Sequence, residues 1–158
     1  MLLGIVLGVV LLVVVRILLV RVLLFKLRRD VRSINGGDYG PLLKGYSDDA
    51  VLVFNEGDHR WAGDHVGKPA IEAFLRTFVA AGLHGEIREV FVGGWPWRMT
   101  ILARFDDASD LPDGSHLYDN RTVLLCRTRW GRIVRQEDFY FDTVRMETLE
   151  KELAARGL

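Results

Sequence analysis

A long apolar run at the start of the chain is the first constraint on its fold. Residues 2–15 carry no polar side chain, and the run continues to Phe25 with only Arg16 and Arg21 as interruptions. A helix over residues 2–25 would be about 36 Å long, and the hydrocarbon core of a bilayer is about 30 Å thick. Both arginines lie toward the end of the run, where long side chains reach the headgroups. The sequence therefore predicts a transmembrane anchor over residues 1–26, followed by a single domain over residues 27–158.

The charges around this run predict its orientation. No basic side chain precedes the run, whereas residues 16–32 contain six: Arg16, Arg21, Lys26, Arg28, Arg29 and Arg32. The positive-inside rule then places the C-terminal domain of a single-pass protein in the cytoplasm. A cleaved signal peptide is disfavoured, because it needs a basic segment before the apolar stretch and a small-residue cleavage site after it. The run could also form a helix in the membrane interface or a buried core helix, although residues 2–15 have no polar face.

Charge and cysteine usage exclude several classes for the rest of the chain. Residues 33–158 hold 15 basic and 20 acidic side chains, and this excess of acid disfavours nucleic-acid binding. The single cysteine, Cys126, excludes an internal disulfide and a zinc site built on cysteines. His59, His65 and His116 fall near predicted turns without the spacing of metal ligands. No metal and no cofactor are therefore predicted.

The pattern of residues 27–158 is typical of one α+β domain. The predicted elements are helices over 27–34 and 39–46, strands over 51–54 and 59–62, a helix opened by residues 67–69, strands over 87–93, 98–105, 116–130 and 132–142, and a helix over 144–156. The helix after residue 67 carries one apolar stripe: Ile71, Phe74, Leu75, Phe78 and Val79. Residues 107–114, rich in Asp, Pro and Gly, are predicted to form an exposed turn. This order predicts an antiparallel sheet covered on one face by helices.

Four segments, taken in order, carry a family resemblance: NGGDYGPLLKGYSDDAVLVF, GKPAIEAF, DGSHLYDN and WGRIVRQEDFYFDT. They resemble the nuclear transport factor 2-like superfamily, and within it SnoaL-like and limonene-epoxide-hydrolase-like domains. The resemblance implies a cone-shaped, strongly curved, mostly antiparallel sheet of the cystatin-like kind, wrapped around helices with a deep apolar pocket inside. It also implies a homodimer. Members include isomerases, dehydratases, cyclases, epoxide hydrolases and non-catalytic proteins, so the fold alone does not give the function.

The candidate catalytic residues are Arg104, Asp106 and Asp138. Arg104 and Asp106 are two apart on one predicted strand and share a face, and Asp138 could lie on a nearby strand. An arginine between two carboxylates can hold one protonated and the other ionised, as acid and base partners require. By resemblance to limonene-epoxide hydrolases, Asp138 would be the base on water, Asp106 the acid on the epoxide oxygen and Arg104 the bridge. The alternative is that all three are surface charges beside an acidic turn.

The strand register leaves the role of Asp138 open. Counting forward from Gly131 puts Asp138 at the family's base position, whereas counting back from Asp142 puts Phe139 there. Alternation also leaves two faces possible for the strand, because the pattern alone does not say which face lines the pocket.

Five further residues are candidates for substrate binding: Asn55, Trp97, Tyr118, Asn120 and Tyr140. Asn55 would help to hold a water molecule, Trp97 would form an aromatic lip, and Tyr118 would donate a hydrogen bond to an enolate oxygen. Together the residues predict a membrane-anchored domain that binds a small hydrophobic molecule and acts as an isomerase, a cyclase or an epoxide hydrolase. The alternative is a non-catalytic module for ligand binding or dimerisation.

Overall fold

The chain begins with one long helix. A computed structural model describes residues 2–158, and α1 (Leu2–Asn35) is a continuous helix of 34 residues, long and apolar enough to cross a membrane. Its large hydrophobic side chains from Ile5 to Leu19 are 39% to 70% exposed. This half of α1 is therefore not a core helix of the domain, because burial inside the domain would have covered one side of it.

The second half of α1 joins the domain without a break. From Val20 onward one side of the helix is partly covered, and Asp30 is buried, with ion pairs to Lys26 and Arg29. At the helix end, Asn35 Nδ2 donates to the carbonyl oxygen of Gly85 at 2.8 Å, and Asn35 Oδ1 accepts from the Gly85 amide at 3.1 Å. The predicted boundary at residues 26 and 27 falls inside this helix. The apolar run and the domain are thus joined by a stiff connection.

The other elements within residues 36–158 are α2 (Gly40–Gly45), β1 (Tyr46–Phe54), β2 (Gly63–Val66), α3 (Lys68–Ala80), β3 (Leu83–Trp95), β4 (Arg98–Asp110), β5 (His116–Arg129), β6 (Arg132–Tyr140) and α4 (Thr143–Ala155). The strands form one sheet in the order β2-β1-β6-β5-β4-β3, in which β1 and β6 are parallel and the other neighbours antiparallel. Register shifts in β3, β4 and β5 bend the sheet. The predicted α+β class, with a curved and mostly antiparallel sheet, is confirmed.

The apolar stripe of α3 packs the helix onto the sheet. Ile71, Phe74 and Leu75 are buried, and the ring centroids of Phe74 and of Phe54 in β1 are 5.3 Å apart. Pro69 in the first turn of α3 suits a helix start, where its missing N–H has no intrahelical partner to lose. Buried Leu and Met side chains of α4 complete the core, which is shared by the helices and one face of the sheet. The other face of the sheet remains open to solvent.

Several predicted boundaries differ from the structure: β1 and β3 are longer than predicted, and two other differences bear on the core and the site. The second strand lies at residues 63–66, because residues 59–62 form a turn that buries His59 and Trp61. The predicted turn over 107–114 is shorter, because β4 continues to Asp110 and only residues after it leave the sheet. Residues 107–110 continue the alternation of buried and exposed side chains along β4, although their composition is typical of a turn. Asp107 and Ser109 are therefore buried and pair with β5. This second difference changes the site.

Candidate active site

A cavity of about 130 Å³ lies between the inner face of the sheet and the helices. Its apolar wall is formed by three groups of side chains: Leu27, Val31 and Ile34 of α1, Phe74, Leu75 and Phe78 of α3, and Ile101, Ala103 and Phe105 of β4. Its polar groups come mainly from the strands: Asp107, Cys126, Gln136, Asp138 and Tyr140. The same helix that carries the apolar run therefore also forms part of the cavity wall.

The inner face of β6 settles the register that the sequence left open. Gln136 and Asp138 are 6% and 8% exposed and line the cavity, whereas Phe139 is 51% exposed on the outer face. Asp138 pairs with Leu124 of β5, which also lines the cavity. The carboxyl group available from this strand is thus Asp138, in agreement with counting forward from Gly131.

A short hydrogen-bond chain holds Asp138 in place. The Tyr46 hydroxyl donates to Gln136 Oε1 at 2.6 Å, and Gln136 Nε2 donates to Asp138 Oδ1 at 2.9 Å. Because Tyr46 occupies the amide oxygen, the Gln136 amide must present its N–H to Asp138. Gln136 is therefore a positioning residue for this carboxyl group.

A second buried carboxyl group, Asp107, belongs to the same wall. Asp107 is 8% exposed, and the Thr122 hydroxyl donates a hydrogen bond to its Oδ2. Thr122 stands opposite Phe105 on β4 and opposite Tyr140 on β6, so it lies between the strands that carry the two acids. Asp107 and Asp138 are thus presented by strands on either side of β5, and both line the apolar cavity.

Burial raises the pKa values of both acids toward neutral pH. Burial raises the pKa of Asp138 to about 7, the hydrogen bond from Gln136 lowers it in part, and the charge of Asp107 adds to the rise. Burial likewise raises the pKa of Asp107 to about 6, against the opposing hydrogen bond from Thr122. Both carboxyl groups can therefore gain or lose a proton near neutral pH, which is what acid–base catalysis requires of its residues.

The thiol of Cys126 does not take part as a nucleophile. It lines the cavity, and burial raises the pKa of its thiol far above neutral. Because the thiolate is the reactive form of cysteine, a thiol with this pKa is a poor nucleophile. Cys126 instead contributes a small, polarisable side chain to the cavity wall.

The expected cluster of Arg104, Asp106 and Asp138 does not form. Arg104 and Asp106 lie on the outer face of β4, because alternation turns Ala103, Phe105 and Asp107 inward. There Arg104 pairs with Glu89 at 3.1 Å and with Asp106 at 3.4 Å, and Asp106 also pairs with Arg88 at 2.7 Å. Asp138 is thus the one member of the predicted cluster in the cavity, and its neighbour is Asp107.

Sequence reasoning missed Asp107 and Gln136, although a signal for each was present. Asp107 follows Phe105 at a spacing of two, but its turn-forming neighbours led it to be placed in a loop. Gln136 precedes Asp138 by two, and only the paired structure reveals Tyr46 as its partner.

Of the predicted substrate-binding residues, Tyr140 lines the cavity. Tyr118 and Asn120 are buried on the same face of the sheet, but they lie nearer the start of β5 and outside the cavity wall. Asn120 is engaged with Asp142, donating to its carbonyl oxygen at 2.7 Å and accepting from its amide at 3.3 Å, which fixes the start of α4. This asparagine has a structural role rather than a place in the cavity wall.

The other two lie away from the cavity. Asn55 follows β1, and its Nδ2 donates to the carbonyl oxygen of Glu56 at 3.3 Å. Trp97 lies in the β3–β4 turn with 52% of its surface exposed. Neither contributes to the cavity wall, so the expectations of a water holder and an aromatic lip find no support in the geometry.

A curved sheet enclosing a cavity beneath its helices defines the class of this domain: it has the nuclear transport factor 2-like, cystatin-like fold, as the sequence resemblance predicted. No protein-family model and no curated protein sequence matches the chain. Solved structures do match, at sequence identities that establish the fold alone.

Three solved structures illustrate the likeness. A nuclear transport factor 2-like protein of unknown function from Burkholderia pseudomallei is 20% identical, with a TM-score of 0.66 over 81% of this chain and 96% of that one. TerC, co-crystallised with polyporic acid, is 22% identical, with a TM-score of 0.64 over 82% of this chain and 98% of that one. A candidate polyketide cyclase from Xanthomonas campestris is 17% identical, with a TM-score of 0.57 over 80% of this chain and 96% of that one.

Proposed function

We propose that this protein binds a small lipophilic molecule in its cavity and transfers protons on it, as an isomerase or a cyclase does. The observation that carries the proposal is that two buried acids, Asp107 and Asp138, line one apolar cavity. Two solved structures of this fold support the proposal, because one was co-crystallised with an organic acid and another is a candidate polyketide cyclase.

The size of the cavity sets the scale of the ligand. An apolar cavity of about 150 Å³ is known to hold one benzene ring. The cavity here, at about 130 Å³, is close to that size. A larger ligand must move side chains of the helical wall, and Leu27 and Phe78 are only partly buried. The fit favours a molecule with one ring, or one ring of a larger molecule, in the cavity.

The chemistry follows from two acids whose raised pKa values let each exchange a proton near neutral pH. Ionised Asp107 would remove a proton from the carbon next to a carbonyl group, and Asp138 would give its proton to the carbonyl oxygen, which forms a neutral enol. Return of a proton from Asp107 to a different carbon, and of the enol proton to Asp138, gives the isomer and restores both acids. In a cyclase the enol carbon would instead attack a second carbonyl carbon and close a ring, while Asp107 gives its proton to the new alkoxide oxygen and the enol oxygen returns its proton to Asp138. Epoxide hydrolysis is less well supported, because Arg104 lies outside the cavity.

The anchor gives a reason for a lipophilic substrate. We propose that residues 1–26 hold the domain of residues 27–158 at the cytoplasmic side of a membrane, as a single-pass protein. The exposed apolar half of α1 and the basic residues after it support this arrangement. A molecule dissolved in the bilayer would then be concentrated beside the cavity.

The outer face of the sheet supports a homodimer. Phe91, Leu102 and Phe139 are 62%, 39% and 51% exposed there, and Phe91 pairs directly with Leu102 across β3 and β4. A second copy would cover these side chains. The same feature favours the alternative function, a non-catalytic module that captures its ligand and dimerises.

Exchange of substrate protons with solvent tests the proposal. The full-length chain in lipid nanodiscs is mixed with a panel of small cyclic ketones and enones in deuterated water, and deuterium uptake next to the carbonyl group is followed by nuclear magnetic resonance. We expect catalysed exchange that Asp107→Asn and Asp138→Asn abolish and Asp106→Asn retains. Asp106 is a matched control, because it adjoins Asp107 but lies on the outer face. Ligand binding without any exchange in the unmodified protein would replace catalysis by the alternative function.

A further inference from the structure

Three exposed tryptophans lie together at one end of the sheet. Trp95 ends β3, Trp97 lies in the β3–β4 turn and Trp130 in the β5–β6 turn, and they are 40%, 52% and 72% exposed. The rings of Trp95 and Trp97 stack at 5.5 Å, and those of Trp97 and Trp130 lie 6.3 Å apart. We call these three residues the tryptophan tip. Large apolar rings in such a cluster usually have a partner, since scattered single side chains are the norm on a free surface.

The tryptophan tip lies beside the apolar part of α1. β3 runs alongside α1. At one end Gly85 contacts Asn35, and at the other Trp95 contacts Arg16. The guanidinium carbon of Arg16 is 6.0 Å from the centroid of the Trp95 indole. Arg16 lies nine residues before Phe25, which is about 13.5 Å along the helix. If the hydrocarbon edge lies at Arg21, the tip is about 7.5 Å deeper, within the range to which interfacial side chains sink. A bilayer crossed by α1 therefore meets the tip.

The charges around the tip suit an anionic lipid surface. Residues 90–105 and 120–136, which include both turns, contain no acidic side chain. Arg98 and Arg129 flank the turns and are exposed, and within residues 2–158 neither forms an ion pair. Basic side chains near a membrane surface attract anionic headgroups, and indole rings favour the boundary between headgroups and acyl chains.

The backbone at Trp130 adds an independent observation. Trp130 and Gly131 form a two-residue turn with φ values of 50° and 78°, a geometry that favours Asn-Gly. A bulky residue at positive φ is strained. Packing within the domain does not explain the tryptophan, because 72% of its surface is exposed.

We propose that the tryptophan tip inserts into the headgroup region of the bilayer that α1 crosses, as a second membrane contact of the domain. The inference rests on the proposed anchoring by α1 and is independent of any catalysis. Two contacts, at α1 and at the tip, fix the tilt of the domain relative to the membrane plane. The Leu27 side of the cavity then keeps one orientation to the lipid surface.

Fluorescence quenching by brominated lipids tests the proposal. The full-length chain is reconstituted in vesicles of phosphatidylcholine and phosphatidylglycerol with bromine at a shallow or a deep acyl position. Trp61→Phe leaves only the tip to fluoresce, whereas a triple Phe variant of the tip leaves only Trp61, which is fully buried. We expect at least twofold quenching of the tip, stronger from shallow bromine, and little quenching of Trp61. Circular dichroism of each variant checks that it is folded.

The remaining outcomes overturn the proposal in distinguishable ways. An unquenched tip that aqueous acrylamide still reaches, in a chain that resists carbonate extraction, would refute tip insertion and leave the anchor intact. A tip protected from both quenchers would refute lipid insertion and place the tip against a second copy of this chain, the only other protein in the vesicles. Release of the chain by carbonate would overturn the anchor and the tip together, whereas the proton-exchange assay reports on the cavity separately.

Discussion

The clearest quantitative test concerns the pH dependence of stability. The pKa of Asp138 is raised by burial to about 7 from an ordinary value of 3.8, so between these pH values the folded chain binds a proton that the unfolded chain has lost. Stability contributed by this group is therefore greatest at low pH and is lost as pH rises toward 7. Between pH 5 and pH 8 the free energy of unfolding falls only up to the pKa of about 7, that is, over about two pH units. At about 1.4 kcal/mol per unit, the loss is about 3 kcal/mol.

Asp138→Asn removes this dependence while keeping the oxygen that accepts from Gln136. The variant should therefore gain about 3 kcal/mol relative to the unmodified protein between pH 5 and pH 8, which corresponds to roughly 6–12 °C in Tm for a chain of this size. Thermal unfolding in a mild detergent, followed by circular dichroism at both pH values, measures the difference. Burial lowers the pKa of His59 and gives an opposite slope, which cancels when the two proteins are compared. Parallel pH profiles for the two proteins would show that Asp138 is not a buried, protonated acid.

Three further changes have expected outcomes. Trp130→Gly relieves the positive φ and should raise stability by about 1 kcal/mol, measured by thermal unfolding, while it weakens lipid quenching of the tryptophan tip. Tyr46→Phe leaves the buried Gln136 oxygen with only the weak Cys126 thiol as a donor and should cost about 1–3 kcal/mol by the same measurement. Ala103→Phe fills the cavity and should weaken binding of a hydrophobic fluorescent probe at least tenfold. Leu102→Phe, the adjacent outward position, should leave probe binding unchanged, and equal loss in both would argue against the cavity as the binding site.

Local pattern was enough to predict the architecture but not the complete site. The 3.6-residue spacing of Ile71, Phe74 and Leu75 predicted α3, because burial against a sheet imposes that period on a helix. Alternation placed Asp138 and Tyr140 on one face of β6, yet the inner face could be chosen only once β6 was paired with β5 and β1. Side-chain facing is a property of the assembled sheet, so it was ambiguous in the isolated strand.

The acid pair shows the same limit more sharply. Arg104 and Asp106 had the composition of a catalytic pair, but the strand turns them outward, where they meet Glu89 and Arg88. Asp107 was predicted to lie in a turn because its neighbours usually form turns. Pairing with β5 outweighs that local preference and keeps Asp107 in β4. Its role became visible only from burial and from the strand opposite.

If α1 crosses a bilayer as proposed, its continuity links bilayer mechanics to the volume of the cavity. Asn35 fixes the helix end to β3, and Leu27 lies eight residues away, or about 12 Å along the axis. A tilt of about 10° about Asn35 would displace Leu27 by about 2 Å, enough to open or close a space that holds one ring. Because helix tilt responds to membrane thickness, a thinner or thicker bilayer would alter ligand affinity, and a bound ligand would in turn bias the tilt.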